Sequence, residues 1–283
     1  MRVTVGDRVR RLDLNSLSRR RFCTLAFVTT DDLEHISGYT PQDAADTPFS
    51  HFAVNSGNAY FRRSRLTWIS LAVLLLAYPA VAVATADDPS KLTDLLTEEI
   101  LLIGLIATVF IQWSVFLLLY VATFREQTGL AGLGLGRLRP VDFLWVVAFL
   151  VSSNLILAGL AWGLAQIGLP MPGEIALLIP EDTVGRIVWV AVSATAGFCE
   201  EIGFRGYLMT RLRLVGKTNS WVVPTALSAL AFGMAHAYQG LPGIILITVY
   251  GLMFSFLYLR TGRLWPCILA HFFQDFGALF YPQ

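Results

Sequence analysis

The sequence has 283 residues, of which 55% are hydrophobic and only 14% are charged, and its formal net charge is +1. Soluble domains contain about 25% charged residues, so this composition excludes a water-soluble enzyme. The three cysteines, Cys23, Cys199 and Cys267, are odd in number and lack metal or redox spacing, which argues against a disulfide framework or a thiol function.

Residues 1–61 form the first predicted region and differ from the rest of the chain. They are polar, rich in Asp and Arg, and contain arginine clusters at 8–11 and 19–21. We predict a polar cytosolic extension, which is either a solvated, disordered tail or a segment whose arginines contact anionic lipid headgroups. Its His35 and His51 have no companions that suggest a site.

Seven hydrophobic spans follow, and they cover residues 66–86, 101–123, 143–169, 187–203, 221–237, 244–259 and 264–281. Two runs, 100–123 and 143–173, contain no charged residue, and about 20 apolar residues match the thickness of the bilayer hydrocarbon. Because the runs are continuous rather than alternating, they favour helices over a β-barrel. We predict an all-α, polytopic transmembrane helix bundle of about seven helices. The first span ends in Ala84-Thr85-Ala86, so it is either a retained helix or a signal segment.

Lysine and arginine occur in alternate loops, near residues 62–65, 125–139, 205–217 and 260–263. Since cytosolic loops carry the excess of these residues, the basic loops are predicted to be cytosolic and the C-terminus to lie outside. Residues 62–140 then hold the first two transmembrane helices and a cytosolic loop. Four glycines between 129 and 136 favour a flexible loop there, because the signature of a phosphate-binding loop is incomplete.

Ionisable side chains within a membrane span are costly and indicate function. Here they lie on the fourth, fifth and seventh spans, and they are Glu200, Glu201, Arg205, His236, His271 and Asp275. Glu201 and Arg205 are four residues apart, which favours an ion pair at the end of the fourth helix. Glu200 points about 100° away from Glu201, so we predict that Glu200 is the free acid and Glu201 the structural one.

The two histidines belong to different spans. His271 and Asp275 share one helix face, and Phe232 and His236 share another. An imidazole near a carboxylate can activate water, and a second imidazole can donate to a developing oxyanion. No serine or cysteine is obviously placed as a nucleophile, so water is the better candidate.

The depth of His236 sets a condition on the fifth helix. A helix that begins at Trp221 would place His236 about 20 Å from the cytosolic face, whereas Glu200 would lie about 10 Å from it. We therefore predict that the regular helix begins after Pro224, which would bring the two side chains closer.

Three motifs occur in a fixed order: Glu200-Glu201-x-x-x-Arg205, Phe232-x-x-x-His236 and His271-x-x-x-Asp275. Together with Cys-Glu-Glu-Ile-Gly-Phe-Arg-Gly-Tyr-Leu at 199–208, they resemble the CPBP intramembrane protease family. This family includes the type II CAAX prenyl proteases and bacterial relatives linked to bacteriocin maturation or immunity. The resemblance covers roughly residues 140–281 and implies that 141–283 form an intramembrane protease domain.

By this resemblance, Glu200 and His236 would activate water to hydrolyse a peptide bond, while His271 and Asp275 would form the oxyanion side. The supporting residues would be Glu201, Arg205 and Phe232. CAAX proteases typically carry Asn at the position of Asp275. Because Asp can donate only when it is protonated, orienting His271 is an equally good role for it.

The resemblance leaves the catalytic type open. A glutamic peptidase without a cofactor is favoured, but Glu200, His236, His271 and Asp275 are acceptable ligands for zinc by residue type, so a metallopeptidase is the alternative. The expected partners are membrane lipids and a peptide or protein substrate at the membrane, lipidated or not, and no nucleic acid. In a bacterium the expected location is the plasma (inner) membrane.

Two non-enzymatic hypotheses compete with the peptidase. A proton-coupled transporter would use the glutamate and histidines as a relay, although transporters often show repeats in both halves, and here the polar residues lie in one half. A peptide-binding immunity factor is the other, and the intact motifs argue against it.

Overall fold

The computed structural model describes residues 63–86, 96–218 and 220–280, so the predicted extension 1–61 and its histidines lie outside the described residues. Within the described part there is no strand, and the chain forms helices joined by turns. The helices are α1 (Arg65–Thr85), α2 (Glu98–Arg125), α3 (Pro140–Gln166), α4 (Thr183–Val215), α5 (Val222–Met234), α6 (Gly240–Thr261) and α7 (Trp265–Gly277).

Each predicted span corresponds to one of these helices. Five of them, α1 to α4 and α6 with the turn before it, are long and apolar enough to cross a membrane, and α5 is a shorter apolar helix. Large apolar side chains such as Phe110 and Leu155 are exposed on the outer faces of α2 and α3, as lipid requires. The prediction of an all-α, multi-pass integral membrane protein is confirmed.

Helix α4 differs from the predicted fourth span, which ended at residue 203. It continues to Val215, and its middle, Glu201–Met209, is a π-helix in which every residue is buried. The charges of Glu201 and Arg205 lower the hydropathy there, and this led to the wrong boundary. They are tolerated because they neutralise each other inside the bundle.

Helix α5 also corrects a prediction. It begins at Val222 rather than after Pro224, because a proline in the first helical turn lacks only an N–H that has no partner within the helix. It ends at Met234, so His236 lies in the turn after the helix. Glu200 and His236 nevertheless lie at similar depths, because α4 is longer than predicted. Glu200 lies 15 residues before Val215, the end of α4, and His236 lies 14 residues after Val222, the start of α5.

Two glycines allow the site-bearing helices to pack closely. A Cβ atom at Gly197 of α4 would lie 2.8 Å from the Ile268 carbonyl oxygen of α7. A Cβ atom at Gly233 of α5 would overlap Thr248 of α6. Small residues at helix crossings let membrane helices approach each other, so Gly197 brings the motif-bearing helices α4 and α7 together and Gly233 lets α5 pack on α6.

A buried polar network joins α1 and α2 to α4 at the end that we predict to be cytosolic. Its centre is the Glu126 carboxylate, which is 0% exposed. Oε1 accepts from Thr67 at 2.8 Å and from the Tyr207 hydroxyl at 2.6 Å, while Oε2 accepts from Arg211 Nε at 2.9 Å. A buried charge is stable only when it is paired and hydrogen-bonded, and here both conditions are met.

The glycine-rich connection between α2 and α3, which we predicted to be a flexible loop, is largely exposed but packs against the bundle at Leu133 and Gly134. The Leu133 carbonyl accepts a hydrogen bond from the Tyr258 hydroxyl at 2.8 Å, and the Leu264 N–H donates to the Gly134 carbonyl at 3.1 Å. Gly134 has a φ of +85°, and a Cβ there would lie 3.1 Å from the Gly262 carbonyl oxygen. These contacts place two predicted cytosolic loops at one end of the bundle.

Candidate active site

Glu200 is the last residue of α4 before the π-helix, and its two carboxylate oxygens have different surroundings. Oε1 accepts a hydrogen bond from Gln112 Nε2 at 2.7 Å. Oε2 is buried, has no hydrogen-bond donor among the described residues, and lies 3.9 Å from His271 Nε2. One oxygen is therefore held, and the other is available for chemistry.

Glu201 has the opposite character. Its Oε1 accepts from Arg205 Nη1 at 2.9 Å, and both side chains are 0% exposed, which confirms the predicted ion pair. The same oxygen accepts from His271 Nδ1 at 2.8 Å, a contact that the sequence did not reveal. Glu201 thus neutralises the buried guanidinium and orients one of the two candidate histidines.

Arg205 is enclosed by groups that suit a buried guanidinium. The Phe232 ring centroid lies 4.2 Å from the guanidinium carbon and the Phe254 centroid 5.0 Å, and Nη2 donates to the Gly251 carbonyl at 3.3 Å. A cation over an aromatic face is attracted by the ring, and more strongly without water. Phe232 is accordingly a packing partner of the ion pair.

His271 lies on α7 with its ring stacked on Phe254, at 5.3 Å between centroids. Because a carboxylate only accepts, the bond to Glu201 assigns a hydrogen to Nδ1. Nε2 then faces two further carboxylates, with Asp275 Oδ2 at 3.6 Å and Glu200 Oε2 at 3.9 Å. His271 is therefore oriented by one acid and surrounded by two others.

His236 is held by the end of α5. Its Nδ1 lies 2.8 Å from the Phe232 carbonyl oxygen, and a carbonyl only accepts, so this nitrogen carries the hydrogen. In a neutral ring Nε2 is then the basic atom. Phe232 connects the two histidines, since its centroid lies 4.9 Å from the His236 ring and 6.1 Å from the His271 ring.

The structure therefore brings together the residues that the three motifs contribute. Glu200, Glu201, His271 and Asp275 make one cluster of close side-chain contacts, and His236 joins it through Phe232. The sequence missed Gln112, which comes from α2. The sequence feature that could have identified Gln112 is weak: it is the only amide side chain in the second predicted span.

The comparisons with known proteins point to the same part of the chain. The family described as "Type II CAAX prenyl endopeptidase Rce1-like" matches residues 183–277, which contain all three motifs. Residues 183–277 are thus similar to the CPBP intramembrane protease family, and we call them the CPBP segment. The family segment thus runs from the start of α4 to the end of α7, and α1, α2 and α3 precede it.

A curated relative extends the likeness beyond the family segment. The chain is 31% identical over 140 residues to "Putative membrane peptidase YdiL" of Bacillus subtilis (strain 168). That match covers 48% of this chain and 54% of the relative, so it spans about half the length of each. No solved structure matches the chain.

A small cavity adjoins the Glu200 side of the CPBP segment. It is lined by residues of α1, α2 and α4, namely Leu74, Tyr78, Gln112, Val115, Cys199, Glu200, Gly203 and Phe204. The space open to the centre of a water molecule is about 20 Å³, which is room for one ordered water. The two candidate histidines do not line it.

The described residues of the CPBP segment do not form a ready metal site. In the described part of the chain, no group of three or more His, Cys, Asp or Glu side chains is arranged to hold a metal ion. In addition, Nδ1 of each candidate histidine is already engaged, one by a carboxylate and the other by a backbone carbonyl. Only the Nε2 atoms of these rings remain as possible ligands.

Proposed function

We propose that this protein is an intramembrane endopeptidase that hydrolyses a peptide bond in a membrane-associated protein or peptide, with water as the nucleophile. The single observation that carries the proposal is the uncommitted Glu200 Oε2, buried beside His271 within the CPBP segment. A buried carboxylate with one free oxygen is suited to take a proton from water and to return it to the leaving amine.

The two histidines support this acid in different ways. Neutral His236, with its hydrogen on Nδ1, has Nε2 free to accept a hydrogen bond from the attacking water. Protonated His271 could donate from Nε2 to the developing oxyanion, since its charge would be offset by Glu201 and Asp275. Asp275 then acts by orienting His271, and it need not donate a hydrogen bond to the oxyanion itself.

The steps balance without a further reagent. The water oxygen bonds to the carbonyl carbon as its proton passes to Glu200, and the oxyanion forms beside His271. When the C–N bond breaks, Glu200 returns the proton to the amine. This order requires water and peptide to reach a site enclosed by helices, so the substrate is expected to enter as a membrane-associated segment, whether lipidated or not.

The proposal is tested by comparing membrane proteomes from cells that carry wild-type protein or Glu200→Ala. We expect at least one protein to accumulate in its uncut form with the variant, and its cut product to be lost. The matched control is Glu99→Gln, an exposed acid near the start of α2, which should behave as wild type. Identical proteomes with wild type and Glu200→Ala at equal expression would refute the peptidase.

The same comparison separates the proposal from a transporter or a binding factor. Neither of those activities produces a new protein terminus. We therefore expect the accumulating protein to yield a defined terminal peptide only in cells with wild type. Purified protein in lipid nanodiscs should then cleave a synthetic peptide that spans this terminus, and Glu200→Ala should not.

A further inference from the structure

Gln112 is a polar residue that nothing in the three motifs accounts for. It lies on α2, outside the matched segment 183–277, is 6% exposed, and is the only amide side chain of that helix. Its Nε2 donates to Glu200 Oε1 at 2.7 Å, which is a short bond from an amide to a carboxylate. Burying an amide within a membrane helix costs free energy, so the contact between Gln112 and the candidate base Glu200 indicates a functional role.

The orientation of the amide follows from this contact. A carboxylate accepts and does not donate, so the NH₂ group of Gln112 must face Glu200 and its Oε1 must face away. That Oε1 is also buried and has no donor among the described residues. Gln112 and Glu200 both line the cavity beside α4, which has room for one water.

We infer that Gln112 is a positioning residue for Glu200, holding Oε1 so that Oε2 stays directed at the reacting water; the inference rests on the proposed function. Without this bond, the carboxylate can rotate about its last torsion and exchange its two oxygens. A misplaced reacting atom costs rate rather than substrate binding.

Docking of α2 against α4 does not depend on Gln112. The neighbouring Trp113 donates from Nε1 to Thr195 Oγ1 of α4 at 3.2 Å. Its ring also stacks on Phe198 of α4, with 5.8 Å between centroids. The two helices therefore remain in contact when the Gln112 amide is removed, so the effect of its loss on Glu200 can be measured separately.

The test uses Gln112→Met, which keeps the length and volume of the side chain and removes the amide. The protein is the full chain in nanodiscs, and the probe is the synthetic peptide spanning the cleavage site found with wild type. We expect kcat to fall about 10- to 100-fold with KM within about twofold. The control is Thr108→Val on the same helix, whose hydroxyl donates to the Gly104 carbonyl of its own helix at 2.9 Å.

A second readout does not require activity. The infrared difference between wild type and Glu200→Gln isolates the carboxyl bands of Glu200, and those bands should shift in Gln112→Met but not in Thr108→Val. A shift with unchanged kcat would overturn the inference, because the bond would then be only structural. An unshifted band would overturn it as well. If the wild-type protein cleaves nothing while the band shifts, the proposed function is wrong and so is the positioning role inferred from it. The shift would still show the hydrogen bond between Gln112 and Glu200.

Discussion

Replacing Glu201 with glutamine removes a buried charge while it keeps the shape of the side chain. The amide oxygen could still accept from Arg205 Nη1 and from His271 Nδ1, because both bonds end on one oxygen, Oε1. The guanidinium, however, would lose its paired carboxylate. The new NH₂ group would occupy the position of Oε2, which has no hydrogen-bond partner among the described residues.

The expected loss follows from burial. Both members of the pair are 0% exposed, and removing one partner from a buried ion pair costs about 3–5 kcal/mol. Arg205 would retain two aromatic rings and the Gly251 carbonyl, which places the expectation near the lower limit, at about 3 kcal/mol. Cleavage per folded molecule should fall less than in Glu200→Ala, because both hydrogen bonds of Oε1 can persist.

The free energy of unfolding can be measured in mixed micelles with increasing SDS, with exposed Glu99→Gln as the control. Adding Arg205→Met to Glu201→Gln removes the unpaired charge, so the double variant should recover at least half of the loss. A Glu201→Gln protein within about 0.5 kcal/mol of wild type would refute the reasoning, since surface substitutions have effects of this size. Simple additivity of the two substitutions would refute it as well.

Three further predictions test other parts of the structure. Gly233→Val should prevent close packing of α5 on α6 and sharply lower the yield of folded protein. Gly104→Val is the control and should leave the yield unchanged, because no atom lies within 4 Å of the added Cβ. Equal yields of the two variants would contradict this packing. Glu126→Gln should lower the free energy of unfolding by about 3 kcal/mol in the same micelle assay, because Arg211 loses its buried counter-charge, and wild-type stability would argue against the network. Peptide cleavage should survive dialysis against a strong chelator, with bound metal measured in parallel; a loss that zinc restores would establish the metallopeptidase instead.

The helices and the ion pair were predictable from the sequence because both depend on local spacing. Charge-free runs of membrane length identify spans directly, and a glutamate four residues before an arginine identifies a pair on one helix face. The order of the motifs along the chain was equally readable. What these patterns share is that each can be assessed from neighbouring residues alone.

The remainder depends on contacts between helices. The hydrogen bond from His271 to Glu201 joins residues 70 positions apart, and that from Gln112 to Glu200 joins residues 88 apart, so neither follows from helical spacing. The end of α4 was missed for a related reason. A hydropathy window treats Glu201 and Arg205 as exposed charges, whereas tertiary packing makes them interior residues.

The π-helix at Glu201–Met209 has a consequence for the evolution of this site. A π-turn closes its backbone hydrogen bond over five residues instead of four, so the widened stretch holds more residues than an α-helix that covers the same turns. In a regular α-helix, deleting one residue rotates everything beyond it by about 100°. Within the π-helix, the same deletion can be absorbed by a return to α-helical pairing, so Arg211 would keep the side of α4 that meets Glu126 while Glu200 stays in place. The length of this stretch should therefore vary more readily than the length of the regular turns around it.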